Sequence, residues 1–81
     1  QALEGWALQL GAFGTLPGAQ ARAAQARAAG YRRVFIRAEG RRGARAGYKV
    51  LLGIYPSAEV ARGNLPEIRG KGLEGFVVPH R

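Results

Sequence analysis

Trp6-Ala-Leu-Gln-Leu-Gly-Ala-Phe13 and Tyr48-Lys-Val-Leu-Leu-Gly-Ile-Tyr55 are one motif written twice, at a constant offset of 42 residues. Aromatic residues bracket both copies, aliphatic residues fill them, and Gly11 coincides with Gly53. Moving outward at the same offset, Thr15 falls on Ser57, Ala19 on Ala61, Arg27 on Arg69 and Gly30 on Gly72. Val34-Phe-Ile36 then falls on Phe76-Val-Val78, so residues 6–36 recur at 48–78 without a gap. An internal repeat of this length describes one supersecondary unit used twice.

The unit reads as strand, helix, strand. After a lead-in over Gln1 to Gly5, Trp6 to Phe13 alternates with a period of two, placing Trp6, Leu8 and Leu10 on one face and Ala7, Gln9 and Gly11 on the other. Gly14 to Gly18 is a turn in which the Thr15 hydroxyl caps a helix and Pro17 fits the first turn, where a missing N–H costs nothing. Ala19 to Ala29 is helical by composition, with a core stripe of Leu16, Ala19, Ala23 and Ala26. Gly30 closes it. Tyr31 to Arg37 is the second strand, and Val34 and Ile36 are expected to face inwards.

Glu39 to Gly47 has no apolar periodicity and reads as a hairpin loop. Tyr48 to Tyr55 is the third strand, with Tyr48, Val50, Leu52 and Ile54 towards the core by analogy with the first. Ser57 caps a second helical segment with the stripe Ala61, Leu65 and Ile68. Pro66 removes a helical hydrogen bond there, so a kink or a restart near Asn64 is expected. Gly72 ends the segment, and Gly75 to Pro79 is the fourth strand.

The order β-α-β-β-α-β makes this an α+β protein of ferredoxin-like, or RNP-like, topology. Right-handed crossovers put both helices on one face of a four-stranded antiparallel sheet, with strands one and three central. The other face is open, and its composition is not dictated by packing.

Composition narrows the function. The 81 residues amount to a single domain with a core over 6–79, expected to be a monomer and a piece of a longer protein. There is no cysteine, which permits an oxidising compartment, and no stretch of membrane-spanning length. The formal charge of +8 and pI near 11.4 point to an anionic partner, although arginine also accumulates where codon usage favours Ala, Gly and Arg. Catalysis finds little support: there is no Asp, one Ser, one Thr and one His, and the five Glu are scattered. His80, next to last, reads as a frayed terminal residue. No metal-ligand spacing or phosphate loop occurs, so neither metal nor cofactor is expected. The chain reads as a binding module.

The open face should present Gln9 from strand one, Arg33, Phe35 and Arg37 from strand two, and Lys49 and Leu51 from strand three. Arg41, Arg42 and Arg45 add charge from the hairpin. Residues 32–49 hold seven of the thirteen basic side chains and a single Glu. An amide, an aromatic ring and several guanidinium groups on a flat sheet suit an extended, acidic, hydrogen-bonding polymer. The alternative is a solvated edge that keeps the sheet from pairing with another.

At this point the chain resembles the SPOR domain, the sporulation-related repeat of bacterial cell-envelope proteins, from Trp6 to Val78. The carriers are Trp6 to Phe13, similar to the family's aromatic-x-Val-Gln-Leu-Gly-Ser-Phe, then Tyr48 to Pro56, similar to Tyr-Arg-Val-x-Val-Gly-Pro-Phe, and the closing Gly72-x-x-Gly-Phe-Val-Val78. The resemblance implies binding to peptidoglycan glycan strands stripped of stem peptides by amidases, in the exported cell envelope and at the division septum. It implies a role for Gln9, which matches the family's glycan-contacting glutamine. Ala12 stands where the family has a serine, Leu51 where a polar residue is common, and Ile54 where the proline follows glycine. Lactyl carboxylates, exposed once the peptides are gone, would pair with guanidinium groups.

Two other readings compete. RNA-recognition domains share the topology, yet strand three lacks their aromatic signature and only Phe35 is a confident stacking residue on the open face. A protein-interaction module of the division machinery, acting through the arginine-rich hairpin, is the other. Topology alone does not decide among them.

Overall fold

The computed structural model describes residues 5–40 and 47–80. Its elements run β1 (Gly5–Phe13), α1 (Leu16–Ala28), β2 (Val34–Glu39), β3 (Gly47–Tyr55), α2 (Ala58–Gly63), α3 (Leu65–Gly70) and β4 (Phe76–His80). One antiparallel sheet carries the order β2-β3-β1-β4, so the two copies of the opening motif pair at its centre. The hairpin positions Arg41, Arg42 and Arg45 lie outside the described residues.

Local chemistry sets the helix ends as the sequence suggests. Thr15 Oγ1 accepts the Gly18 N–H at 3.3 Å, and Ser57 Oγ accepts the Val60 N–H at 3.1 Å. Gly30 and Gly72 take φ of +105° and +85°, a left-handed conformation that a side chain would strain. Each then forms the same paired closure. Tyr31 N–H bonds the Ala26 carbonyl and Gly30 N–H the Arg27 carbonyl; Leu73 and Gly72 do likewise to Ile68 and Arg69. The second crossover breaks at Asn64, and α3 restarts with Pro66 in its first turn, where the absent N–H is not missed.

The core lies between the sheet and the helices. Leu8, Leu10, Val50 and Leu52 from the central strands meet Ala19, Ala23, Ala26, Ala61 and Ile68 from the helices. The alanines are wholly buried and add little area, but they let α1 lie close to the sheet. Leu16, expected at the head of that stripe, is 41% exposed, because it is the first residue of α1 and the buried stripe begins one turn later, at Ala19. Strand two also starts later than expected, at Val34, since Tyr31 is taken up in closing the helix.

Two irregularities break the twofold pattern. On β1 the partner step from Gln9↔Leu51 to Gly11↔Val50 leaves Leu10 unmatched. Beyond this bulge Gly11 and Phe13 turn to the helix side, and Ala12, paired with Lys49, moves to the open face. Gly11 therefore departs from the alternation expected of it. On β3 the unmatched residue is Ile54, which is 37% exposed, while Tyr55 packs on the core instead.

A third difference follows on β4. Strand β2 pairs Val34 with Leu52, and the offset of 42 would pair Phe76 with Leu10. The observed partner of Phe76 is Gln9, one residue away. A slip of one residue exchanges the faces of every side chain on a strand. Val77 thus packs on the core, whereas Phe76 is 55% exposed on the other side.

Removing the Ile68 side chain should leave a cavity at the centre of the core. Ile68→Ala is expected to lose about 2–4 kcal/mol of stability. Leu16→Ala should change it by less than about 0.5 kcal/mol. Urea denaturation of the two variants reads the difference.

Candidate functional site

The face away from the helices is crossed by one row of side chains: Phe35 beside Leu51, Leu51 beside Gln9, Gln9 beside Phe76. Four strands at about 4.8 Å spacing make this row roughly 14 Å long. Flanking rows place Arg37, Lys49 and Ala12 on one side and Gly53, Ala7 and Val78 on the other.

The face is not flat. His80, on the edge strand β4, sits edge-on to Phe35 of the opposite edge strand, with ring centroids 5.6 Å apart. Arg37 Nη2 lies 3.3 Å from His80 Nδ1. Arginine has no acceptor, so the guanidinium is the donor in this contact. Contact between opposite edges means that the sheet curls into a trough. His80 is thereby ordered in β4 and half-buried, not frayed.

The trough explains burial on an unpacked face. Ala7 is fully buried, Leu51 is 2% exposed and Gln9 8%. No described residue bonds the Gln9 amide, and no buried side-chain nitrogen or oxygen among the described residues lacks a partner. The exposed sliver of Gln9 is therefore its amide, facing the trough from an apolar floor.

Charge gathers at the β2–β3 end. Lys49 Nζ meets Glu39 Oε1 at 2.9 Å, and Arg37 Nη1 lies 3.7 Å from Glu39 Oε2. The hydrogen bond from Lys49 holds the Glu39 carboxyl below its ordinary range, with the charges of Lys49 and Arg37 adding to it. Glu39 thus competes internally for the two cations that an anionic ligand would use. Arg33 stands just before β2, beside a small cleft lined also by Gly53 and Ile54.

Sequence reasoning brought Gln9, Phe35, Arg37, Lys49 and Leu51 to this face, and the structure gathers them there. Phe76, Val78 and His80 escaped it. Phe76 aligns with the inward-facing Val34, and no residue pattern announces the slip of β4. His80 reaches the site through the curl of the sheet. Among the described residues no group of His, Asp and Glu is placed to hold a metal, and no helix is long and apolar enough to cross a membrane.

The family model of the SPOR domain matches residues 2–79. The chain belongs to the SPOR domain family. SPOR domains are binding modules of cell-envelope proteins and not catalytic units. No curated protein sequence matches this SPOR domain. Among solved structures, its fold is similar to part of a Burkholderia pseudomallei protein described as exported, with a TM-score of 0.82 and 24% identity over 98% of the chain. The SPOR domain spans only 16% of that larger chain. It is also similar to the peptidoglycan-binding domain of the B. subtilis cell wall lytic enzyme CwlC, with a TM-score of 0.71 and 22% identity, covering 100% of this chain and 95% of the other. At these identities the likeness concerns the fold.

The Lys49–Glu39 contact can be read directly. A carboxyl held low stays charged through mild acid, so the contact persists above its depressed titration point and is lost as pH falls through it. In a carboxyl-carbon NMR titration Glu39 should titrate below the ordinary glutamate range, and Lys49→Ala should move it back up. An unchanged Glu39 midpoint in that variant would show the contact to be absent in solution.

Proposed function

We propose that this chain is a non-catalytic peptidoglycan-binding module whose trough takes glycan strands stripped of their stem peptides. Through that binding it brings the protein that carries it to the septum or to other sites of wall remodelling. The observation that carries this reading is the row Phe35–Leu51–Gln9–Phe76. It combines an apolar floor, one outward amide and cations along its margin.

Each part suits one feature of a denuded glycan. Apolar sugar faces lie on the rings of Phe35 and Phe76, above the buried Leu51. The acetamido groups exchange hydrogen bonds with Gln9, which offers both a donor and an acceptor. Lactyl carboxylates, released when the stem peptides are cut away, pair with Arg37 and Lys49 in charge-assisted contacts. In the intact wall these carboxylates are tied up as amides, and the attached peptides would have to fit a trough whose floor is nearly closed to solvent. Selectivity for the denuded form then follows from both charge and shape. The peptidoglycan-binding domain of CwlC, similar in fold over the full length, supports the same ligand class here.

Sedimentation with purified sacculi tests the proposal. The domain should pellet with amidase-treated sacculi and stay in the supernatant with untreated ones. Gln9→Ala and Arg37→Glu should each weaken binding, by about tenfold for the charge reversal. Equal binding to treated and untreated sacculi, or tighter binding to single-stranded RNA at physiological salt, would overturn it.

A further inference from the structure

The repeat offset of 42 relates clefts as well as strands. At two corners of the sheet a helix ends in its left-handed glycine, and a cleft opens between the next residues and a central strand. In the first copy Gly30, Tyr31, Arg32 and Arg33 face Leu52 and Gly53 across a cleft of about 270 Å³. In the second, their equivalents Gly72, Leu73, Glu74 and Gly75 face Leu10 and Gly11 across about 550 Å³. The second cleft is of the size that small-molecule sites have, and the first falls short of it.

Three differences between the copies, two of them substitutions, distinguish the larger cleft. Gly75 replaces Arg33 where a Cβ would come within 3.0 Å of the Gln9 carbonyl oxygen, so the wall there is bare backbone. Arg22 stands where the other copy has Asn64. It donates to the Leu10 carbonyl at 2.7 Å and lies 5.7 Å from the Phe13 ring, which fixes its guanidinium at the cleft. The third is a change of use at one residue type. Arg27 donates to the Val34 carbonyl at 3.1 Å and closes its helix onto β2. Its equivalent, Arg69, has no such bond beside the slipped β4, pairs with no carboxylate among the described residues, and lines the cleft instead.

Phe76 and Gln9 also line this cleft, and both belong to the row that crosses the trough. The cleft therefore meets the trough at the start of β4, where Phe76 and Gln9 pair. We infer that it is a distinct subsite for a carboxylate-bearing sugar, whose carboxylate meets Arg22 and Arg69 while its apolar ring face lies on Phe76. The inference rests on the glycan reading above. It adds that the glycan crosses the strands of the sheet, from Phe35 towards Phe76, and does not run along them. Two guanidinium groups offer the forked donors that suit a carboxylate. Glu74, at the same cleft, opposes the incoming charge and accepts from a sugar hydroxyl.

The test compares two tetrasaccharides by isothermal titration calorimetry with the whole 81-residue chain. One is a denuded glycan fragment with free lactyl carboxylates; the other is the chitin oligosaccharide of equal length, which has none. The chain should prefer the carboxylate-bearing sugar. Arg69→Gln should reduce that preference about tenfold. Phe76→Ala should weaken both sugars alike, and Glu74→Gln should strengthen only the charged one. All three side chains are exposed, so thermal unfolding of the variants should stay close to the parent. If Arg69→Gln binds the denuded fragment as tightly as the parent and keeps the parent's preference over the chitin oligosaccharide, the subsite is refuted while the trough reading survives. If the parent binds neither sugar, the glycan reading fails and the subsite falls with it.

Discussion

The antiparallel pairing of β1 with β3 is the constraint on which the remaining structure depends. These strands are the two copies of one motif, so their pairing creates an approximate twofold axis at the centre of the sheet. Each copy then sends its helical crossover to the same face and its second strand to an outer edge. The axis is visible in the contacts between helix ends. Lys71 Nζ bonds the carbonyl of Ala29, its own equivalent at the repeat offset, and also lies over the Tyr31 ring at 4.5 Å. Glu67 joins this group through the Tyr31 hydroxyl and Lys71. Partial burial and the neighbouring Glu67 push the Tyr31 hydroxyl up from its ordinary range.

Departures from the twofold build the binding surface. The Leu10 bulge and the slip of β4 convert a position equivalent to a core valine into an exposed phenylalanine. The curl of the sheet brings His80 to Phe35 and sinks Gln9 and Leu51 beneath the rims. A deep apolar floor with one amide discriminates by hydrogen bonding more sharply than an exposed one, because a ligand group that leaves the amide unpaired removes it from water without compensation. Glu39 adds a second control. It holds Lys49 and touches Arg37, so a ligand carboxylate must replace an internal one.

Local features were legible from residues alone. Thr15 and Ser57 cap helices because a hydroxyl beside free N–H groups bonds them in almost any surroundings. Gly30 and Gly72 end helices because little else accepts a left-handed backbone, and Pro66 forces the restart after Asn64 because its ring cannot sit deeper in a helix. The strand order followed from the repeat and from the handedness of crossovers. For the same reason Gln9, Phe35, Arg37, Lys49 and Leu51 could be assigned to one face by counting in twos.

Counting in twos fails where a strand carries an extra residue. Alternation misplaces Gly11 and Ile54 at the two bulges, the slip hides Phe76, and Leu16 precedes by one turn the stripe that its helix buries. The sequence by itself determined the repeat, the element types, the caps and the open face, since each depends on neighbours within a few residues. Only the tertiary structure decided the register of β4, the trough and the unequal clefts. Those depend on how residues distant in the chain share space around one axis, and a one-residue shift there changes the face of a strand without changing its local chemistry.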